Sequence, residues 1–305
     1  MTKPKFGLIG TGVWAGMVQA PAAAHSDAVA FTAVFGRNRQ AAEGIAAAHG
    51  VAVHDDLAAF LAAVDIVGIC VPPAVQPQFA LAAAAAGKPL LLEKPVAQDV
   101  AAAEAIAAAL AERELASVVF FTQLLMTRVE GWLRKVRAEG GWFTGRIDGF
   151  GQVLTDPGNP FHATAWRAGA GALWDTGPHA VALLSTVLGP VTEVAATGGQ
   201  GDFSVLVLTH AGGAVSTVSQ RMDAPAPLPG ETALFGVNGK SSPPPVENWM
   251  GESVAAYAAA LSRLADPASA GPDALVMDAA FGAAVTRVLA AAERSIASGR
   301  REPVA

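Results

Sequence analysis

A short apolar run, Phe6 to Ile9, passes into Gly10-Thr11-Gly12-Val13-Trp14-Ala15 and then into a helix-like stretch from Ala15 towards Ala24, and few folds accept that order. Each small residue has its own task in a strand, tight turn and helix. Gly10 permits the turn, Gly12 lets the backbone approach a pyrophosphate, and Ala15 takes the small position where helix meets strand. The chain has 32 glycines, so the motif draws its meaning from this context and not from its letters.

Strand and helix patterns alternate from there. Val29 to Phe35 is strand-like, Arg39 to His49 helical, Val51 to Val53 a short strand, Leu57 to Ala63 helical and Asp65 to Val71 a buried strand. Ala74 to Ala86 is helical and ends at Gly87, Pro89 to Leu92 is a strand, Val100 to Leu115 a helix and Val118 to Phe121 a further strand. Repeated β and α units imply a parallel, doubly wound sheet, an α/β Rossmann domain over residues 1–121. After Phe121 the alternation ends. Met126 to Ala138 reads as a helix, broken by Gly140-Gly141, and Arg146 to Thr155 begins a strand-rich section. Further strands are expected at Val191 to Ala196, Phe203 to Thr209, Ala214 to Gln220 and Thr232 to Val237. Trp249 to Leu264 and Leu275 to Ser298 read as helices, separated by Asp266-Pro267 and Gly271-Pro272. Residues 122–305 thus form an α+β domain with a mostly antiparallel open sheet, whose terminal helices can pack back on the first domain.

Composition excludes several functions. Over 305 residues, 52% hydrophobic and 15% charged, the chain is globular and long enough for two domains. Its net charge of −6, with no Lys/Arg run, does not favour nucleic acid as a partner, so a small molecule is expected. The alanine-rich runs are interrupted by charge, glycine or proline, so none reads as a membrane span. Cys70 is the sole cysteine, and a chain without a possible internal disulfide or a signal-peptide pattern is expected in the cytoplasm.

Three further stretches carry chemistry. At Pro89-Leu90-Leu91-Leu92-Glu93-Lys94-Pro95 a charged pair follows a buried strand, where open parallel sheets place ligands. Lys94 there either pairs with neighbouring acids or meets a substrate, and Pro95 restricts it to extended geometry. At the end of the second strand, Val34-Phe35-Gly36-Arg37-Asn38-Arg39, Gly36 stands where an NAD site usually carries an acid. That absence, beside Arg37, favours NADP through a phosphate clamp, with NAD possible; two solvated arginines at a helix start is the plainer alternative. In Gly171-Ala172-Leu173-Trp174-Asp175-Thr176-Gly177-Pro178-His179, a helix from Thr176 to Leu188 would set Asp175 and His179 four residues apart on one face at its N-terminal end. Histidine can exchange a proton with a substrate oxygen and a carboxylate can orient it; a dipole-favoured Asp beside a core histidine is the alternative. His162 precedes Trp166-Arg167 in an irregular stretch suited to lining a pocket. His25, His49, His54 and His210 have no motif around them, and no cluster suits a metal.

Taken in order, these motifs make the chain resemble the glucose-fructose oxidoreductase, inositol dehydrogenase and MocA family over nearly its whole length. Val71-Pro72-Pro73, Trp166-Arg167, the Gly236-Val237-Asn238-Gly239 turn and the Ala-rich helix ending Ser298-Gly299 belong to the resemblance. It implies hydride exchange between a nicotinamide cofactor and a sugar-like or cyclitol alcohol or carbonyl. Lys94 would hydrogen-bond the reacting oxygen, His179 would act as general acid/base, and Asp175 would orient substrate or histidine. The cofactor would meet Gly10, Thr11, Gly12, Val13 and Trp14, then Gly36, Arg37 and Asn38, then Val71, Pro72, Glu93 and Lys94. Gln123, His162, Trp166 and Arg167 would contact substrate, and the C-terminal sheet would mediate a homodimer or homotetramer.

Departures from the family pattern are specific. Gln76 stands where a histidine is common, Phe121-Thr122-Gln123-Leu124-Leu125-Met126 lacks the usual arginine, and Ala182 replaces an acid three positions after His179. They leave room for a less polar substrate held against Trp132, Trp142, Phe161 or Trp174, although such aromatics are more often core. Two other functions compete: a non-catalytic dinucleotide-dependent sensor or interaction protein, and a reductase of a non-sugar carbonyl or imine.

Overall fold

The computed structural model describes residues 2–271 and 273–304. Pro272, expected between the last two helices, lies outside the described residues, as do Met1 and Ala305. In chain order the first elements are β1 (Lys5–Ile9), a π-helical stretch (Ala15–Gln19) leading into α1 (Ala20–Ala24), β2 (Ala30–Phe35), α2 (Arg39–His49), β3 (Ala52–His54) and α3 (Leu57–Ala63). Next come β4 (Ile66–Ile69), α4 (Gln76–Ala85), β5 (Leu90–Leu92), α5 (Val100–Ala111), β6 (Ser117–Val119) and α6 (Thr122–Leu125). The remainder is α7 (Thr127–Glu139), β7 (Trp142–Phe150), α8 (Ala165–Asp175), α9 (Gly177–Leu188), β8 (Val191–Gly198), β9 (Ser204–His210), β10 (Val215–Arg221), β11 (Glu231–Gly236), β12 (Gly239–Ser241), α10 (Trp249–Ala265), α11 (Ala279–Ser298) and β13 (Glu302–Pro303).

Two compact units result: Met1–Thr127 with Val246–Ala283, and Arg128–Pro245 with Ala284–Ala305. In the first unit six strands lie in the order β3-β2-β1-β4-β5-β6, with every pairing parallel. Strand order reverses between β1 and β4, and such switch points open a crevice at the carboxyl ends of the strands. Strands β4 and β5 are buried along their whole length, as a sheet covered on both faces requires. Local chemistry sets the helix starts. Asn38, Asp56 and Asp99 each accept the backbone N–H three residues on, at 3.1, 2.7 and 2.8 Å. Gly50, at φ +69°, closes α2 in the left-handed conformation.

The second unit contains a seven-stranded sheet in the order β12-β11-β7-β10-β9-β8-β13. All its pairings are antiparallel except β7 with β10. Strand β9, Ser204–His210, alternates buried and half-buried residues, the signature of a sheet with one covered face. Among the described residues no helix is long and apolar enough to cross a membrane.

Several boundaries differ from the sequence reading. The segment Thr122–Leu125 is helical, so the sixth strand stops at Val119; Leu92 accepts the Phe120 N–H at 2.8 Å before the chain turns. Strand β7 begins at Trp142 and ends at Phe150, because Gly140 and Gly141, both at positive φ, end the preceding helix and release the chain early. Trp166-Arg167, expected in an irregular stretch, lie in α8. The last helix starts at Ala279, where Asp278 Oδ1 accepts the Phe281 N–H at 2.8 Å.

Candidate active site

At the switch point of the first unit the backbone leaves a cavity of about 420 Å³. It is lined by Ile9, Gly10, Thr11 and Gly12 after β1, by Phe35, Gly36, Arg37 and Asn38 after β2, and by Cys70, Val71, Pro72, Val75 and Phe79 around the start of α4. Gly10 adopts φ +122°, donates its N–H to the Phe35 carbonyl at 2.8 Å, and passes so close to the next strand that a Cβ would sit 2.1 Å from the Cys70 carbonyl oxygen. No other residue fits there. Gly12 is its opposite: a Cβ would meet nothing within 4 Å, so its backbone faces open space at the start of a helix. Together the glycine turn, the helix start and a largely apolar wall fit a dinucleotide.

Gly36 has a cause that its sequence does not reveal. A Cβ at that position would lie 2.5 Å from Thr11 Cγ2, so the threonine of the glycine turn fills the space an acidic side chain would enter. The two neighbouring arginines behave differently. Arg39 Nε pairs with Glu43 Oε1 at 2.8 Å, and its Nη1 pairs with Asp55, whereas among the described residues no hydrogen bond or ion pair engages Arg37. Arg37 is exposed on the cavity wall, and Asn38 caps α2. Of the expected cofactor residues, Val13, Trp14, Glu93 and Lys94 do not line this cavity; Val13 is 46% exposed.

Glu93 and Lys94 follow β5 in the same unit, and the Lys94-Pro95 peptide is cis. Two buried glutamines hold this corner. Gln76, the first residue of α4, accepts the Glu93 N–H on Oε1 at 2.9 Å, and its Nε2 lies 2.8, 3.2 and 3.0 Å from the carbonyls of Glu93, Pro95 and Val96. Gln19, ending the π-helical stretch, donates to Glu93 Oε1 at 2.5 Å and accepts from the Tyr257 hydroxyl at 3.1 Å. Glu93 Oε2 in turn accepts the Lys94 N–H at 3.2 Å. Burial and the nearby Glu93 charge are among the causes that hold the Tyr257 phenol well above its ordinary range, so it stays a donor. None of Gln19, Gln76 and Tyr257 was singled out for this role from sequence, and a lone glutamine carries no motif that could have revealed it.

In the second unit α9 covers Gly177–Leu188, one residue short of the expected helix from Thr176. Asp175 is the last residue of α8, Thr176 joins the helices, and His179 lies in the first turn of α9. The Asp175 carboxylate accepts from Arg167 Nε at 2.8 Å, and the Arg167 guanidinium lies 4.8 and 4.7 Å from the ring centroids of Phe161 and Trp166. Asp175, Arg167, Trp166 and Phe161 are therefore brought together, with the carboxylate engaged by arginine across one side. His162 has a buried Nδ1 that meets no hydrogen-bond partner among the described residues. Trp132 and Trp142 donate to Ser241 Oγ at 2.9 Å and the Val136 carbonyl at 2.7 Å, and Trp174 is 4% exposed, so these three serve packing. Gln123 lies in α6 of the first unit and is half-buried.

A kink positions the Asp175 end of α8. Gly171 adopts φ +67° and ψ −173°, conformational space open to glycine, and Asp202 accepts the Ala172 N–H on both carboxylate oxygens at 2.9 and 3.0 Å. Asp202 also accepts the Met222 N–H at 3.0 Å, and burial raises its pKa above the ordinary carboxylate value. Among the described residues no three His, Cys, Asp or Glu side chains are grouped to hold a metal ion.

The N-terminal model of the GFO/IDH/MocA oxidoreductase family, described as an oxidoreductase family with an NAD-binding Rossmann fold, matches residues 4–121, and the GFO/IDH/MocA C-terminal domain matches residues 131–241. No curated protein matches. Solved structures with the same fold include an oxidoreductase from Agrobacterium radiobacter in complex with NAD+, L-tartaric acid and magnesium, 20% identical, TM-score 0.82, covering 99% of each chain. The WlbA dehydrogenase from Bordetella pertussis, in complex with NADH and UDP-GlcNAcA, is 22% identical with TM-score 0.79 over 99% of this chain and 98% of that one. A scyllo-inositol dehydrogenase from Lactobacillus casei is 15% identical with TM-score 0.83 over 99% and 98%.

Proposed function

Since the chain belongs to the GFO/IDH/MocA family and is an NAD-binding oxidoreductase of it, we propose that it moves a hydride between a nicotinamide dinucleotide, NADP in preference to NAD, and a sugar-like or cyclitol alcohol or carbonyl. The observation that carries this reading is the cavity at the switch point, with Gly10 and Gly12 at its floor and a lysine after the neighbouring strand of the same sheet. NADP preference rests on Gly36, whose side-chain space Thr11 occupies, and on Arg37, an exposed cation on the cavity wall that forms no ion pair among the described residues. The dinucleotides in the Agrobacterium and Bordetella structures are NAD+ and NADH, so this preference belongs to the present chain's own residues.

When bound, the nicotinamide supplies or accepts the hydride. Lys94 hydrogen-bonds the reacting oxygen and stabilises the charge that develops on it as the C–H bond forms or breaks. His179 exchanges the proton with that oxygen, a step suited to a group titrating near neutrality. Asp175 acts through Arg167: the pair neutralises itself at 2.8 Å and fixes the junction that carries His179. His162 and Trp166 contact substrate. The reaction is placed in the cytoplasm, and the second unit's open sheet pairs copies into a homodimer or homotetramer, checked by light scattering in solution.

A screen of sugars, cyclitols and keto-sugars with NADP and NADPH, followed by nicotinamide absorbance, tests the reading. Lys94→Ala should lower kcat by about 10²- to 10⁴-fold while leaving NADP affinity unchanged. Wild-type turnover in that variant would remove Lys94 from the mechanism, and no turnover of any compound by the wild type would favour a dinucleotide-dependent sensor.

A further inference from the structure

Lys94 is reached by a long flexible side chain, so its usefulness depends on how firmly its backbone is held. We propose that Gln76 is a positioning residue for Lys94, a buried amide that pins the backbone on both sides of the lysine and ties it to the wall of the dinucleotide cavity. This rests on the catalytic reading of Lys94.

Three observations within the first unit carry it. Gln76 is 0% exposed, so its amide cannot exchange partners with solvent. Its oxygen takes the Glu93 N–H and its nitrogen faces the carbonyls of Glu93, Pro95 and Val96, so one side chain satisfies backbone groups before and after Lys94. The amide can sit only this way round, because reversal would set N–H against N–H and oxygen against three oxygens. Finally, Val75 and Phe79, flanking Gln76 in sequence, line the cavity. Whatever presses on that wall is thereby coupled to the corner. The side chain touches no reacting atom; it acts through Lys94.

The test uses the full-length enzyme saturated with NADP, with Gln78→Ala, an exposed change two residues on, as control. Gln76→Leu should lower kcat by about 10²-fold, the scale of an ångström's misplacement, with NADP affinity unchanged. That variant leaves buried polar groups unsatisfied and can fail to fold, so Gln76→Glu is the decisive one. A protonated glutamic acid still accepts from Glu93 N–H and donates to a carbonyl; its anion repels all three carbonyls. Its kcat should therefore start near wild type at low pH and fall as pH rises through the raised pKa of the new carboxyl, a limb absent from wild type. At each pH over the same range, amide exchange at Glu93, Lys94 and Val96 should become faster than in wild type, and this readout needs no substrate. Unchanged kcat and unchanged exchange in Gln76→Glu, with Lys94→Ala inactive, overturns the positioning role and spares the proposed function. A lower thermal midpoint with wild-type kcat per folded molecule makes Gln76 merely structural and overturns it too. Wild-type turnover in Lys94→Ala removes both.

Discussion

Arg37 and His210 show how differently two polar residues can be employed. Arg37 stands on the cavity wall beside a glycine that Thr11 keeps bare, whereas its neighbour Arg39 is committed to Glu43 and Asp55. A charge-assisted contact is worth about 1.5–3 kcal/mol, so Arg37→Ala should weaken NADP about 10- to 100-fold and leave NAD nearly unchanged, measured by titration calorimetry. Equal losses for both dinucleotides would rule out a phosphate clamp. His210, in contrast, is 1% exposed and fully satisfied as a neutral ring: its Nδ1–H donates to the Gly189 carbonyl at 2.7 Å, and Ser216 donates to Nε2 at 2.8 Å. Burial lowers its pKa below the ordinary 6.5, and the serine must turn away if the ring gains a proton. A depressed folded pKa means that the unfolded chain binds the extra proton first. The contribution is complete above the unfolded value and is lost as pH falls through the folded one. Below pH 6.5 the unfolding free energy of wild type should therefore fall more steeply than that of His210→Gln, by up to about 1.4 kcal/mol per pH unit. Parallel curves in denaturant titrations would assign the acid sensitivity elsewhere.

At the scale of elements, what the sequence made legible was what is locally encoded. The β and α alternation, the glycine turn and the helix starts at Arg39, Leu57 and Val100 are written in neighbouring residues, and the parallel pairing of the six strands follows from that alternation. What was hidden depends on residues far apart in sequence. The stretch around Trp166-Arg167 reads as irregular, and its helix α8 carries a kink at Gly171 held by Asp202, 30 positions beyond Ala172. Likewise Gln76 reads as a departure from a family histidine, yet its partners lie 17 to 20 residues away. The glycine at 171 is the point of greatest leverage: a Cβ there would stand 2.2 Å from Asp202 Oδ1, in a backbone region that costs a side chain about 1–3 kcal/mol. Gly171→Ala should thus lower stability by at least that amount and, by shifting the Asp175 end of the helix, reduce kcat more than it changes NADP affinity. Urea denaturation and steady-state kinetics together check this; a loss of stability with intact kcat would separate the kink from the chemistry.

For the whole molecule, the path of the chain matters more than any single contact. It passes from one unit to the other after Thr127, returns after Pro245 and leaves again after Ala283, so neither unit is a single continuous segment. Helix α11 begins in the first unit and ends in the second, and its residues Ala284–Ser298 belong to the latter. Loss of either unit's structure therefore removes part of a shared helix. The dinucleotide cavity, however, is built wholly from the first unit. A ligand bound there at a hundredfold excess over Kd stabilises the folded state by about 2.7 kcal/mol. If the chain unfolds as one cooperative body, that increment should raise the melting of both units equally. Trp14 and Trp249 report the first unit and Trp132, Trp142, Trp166 and Trp174 the second, so single-tryptophan variants can follow each separately. With NADP present the two sets of midpoints should rise together; a rise confined to the first set would show that the shared helix does not transmit cooperativity and that the units melt independently.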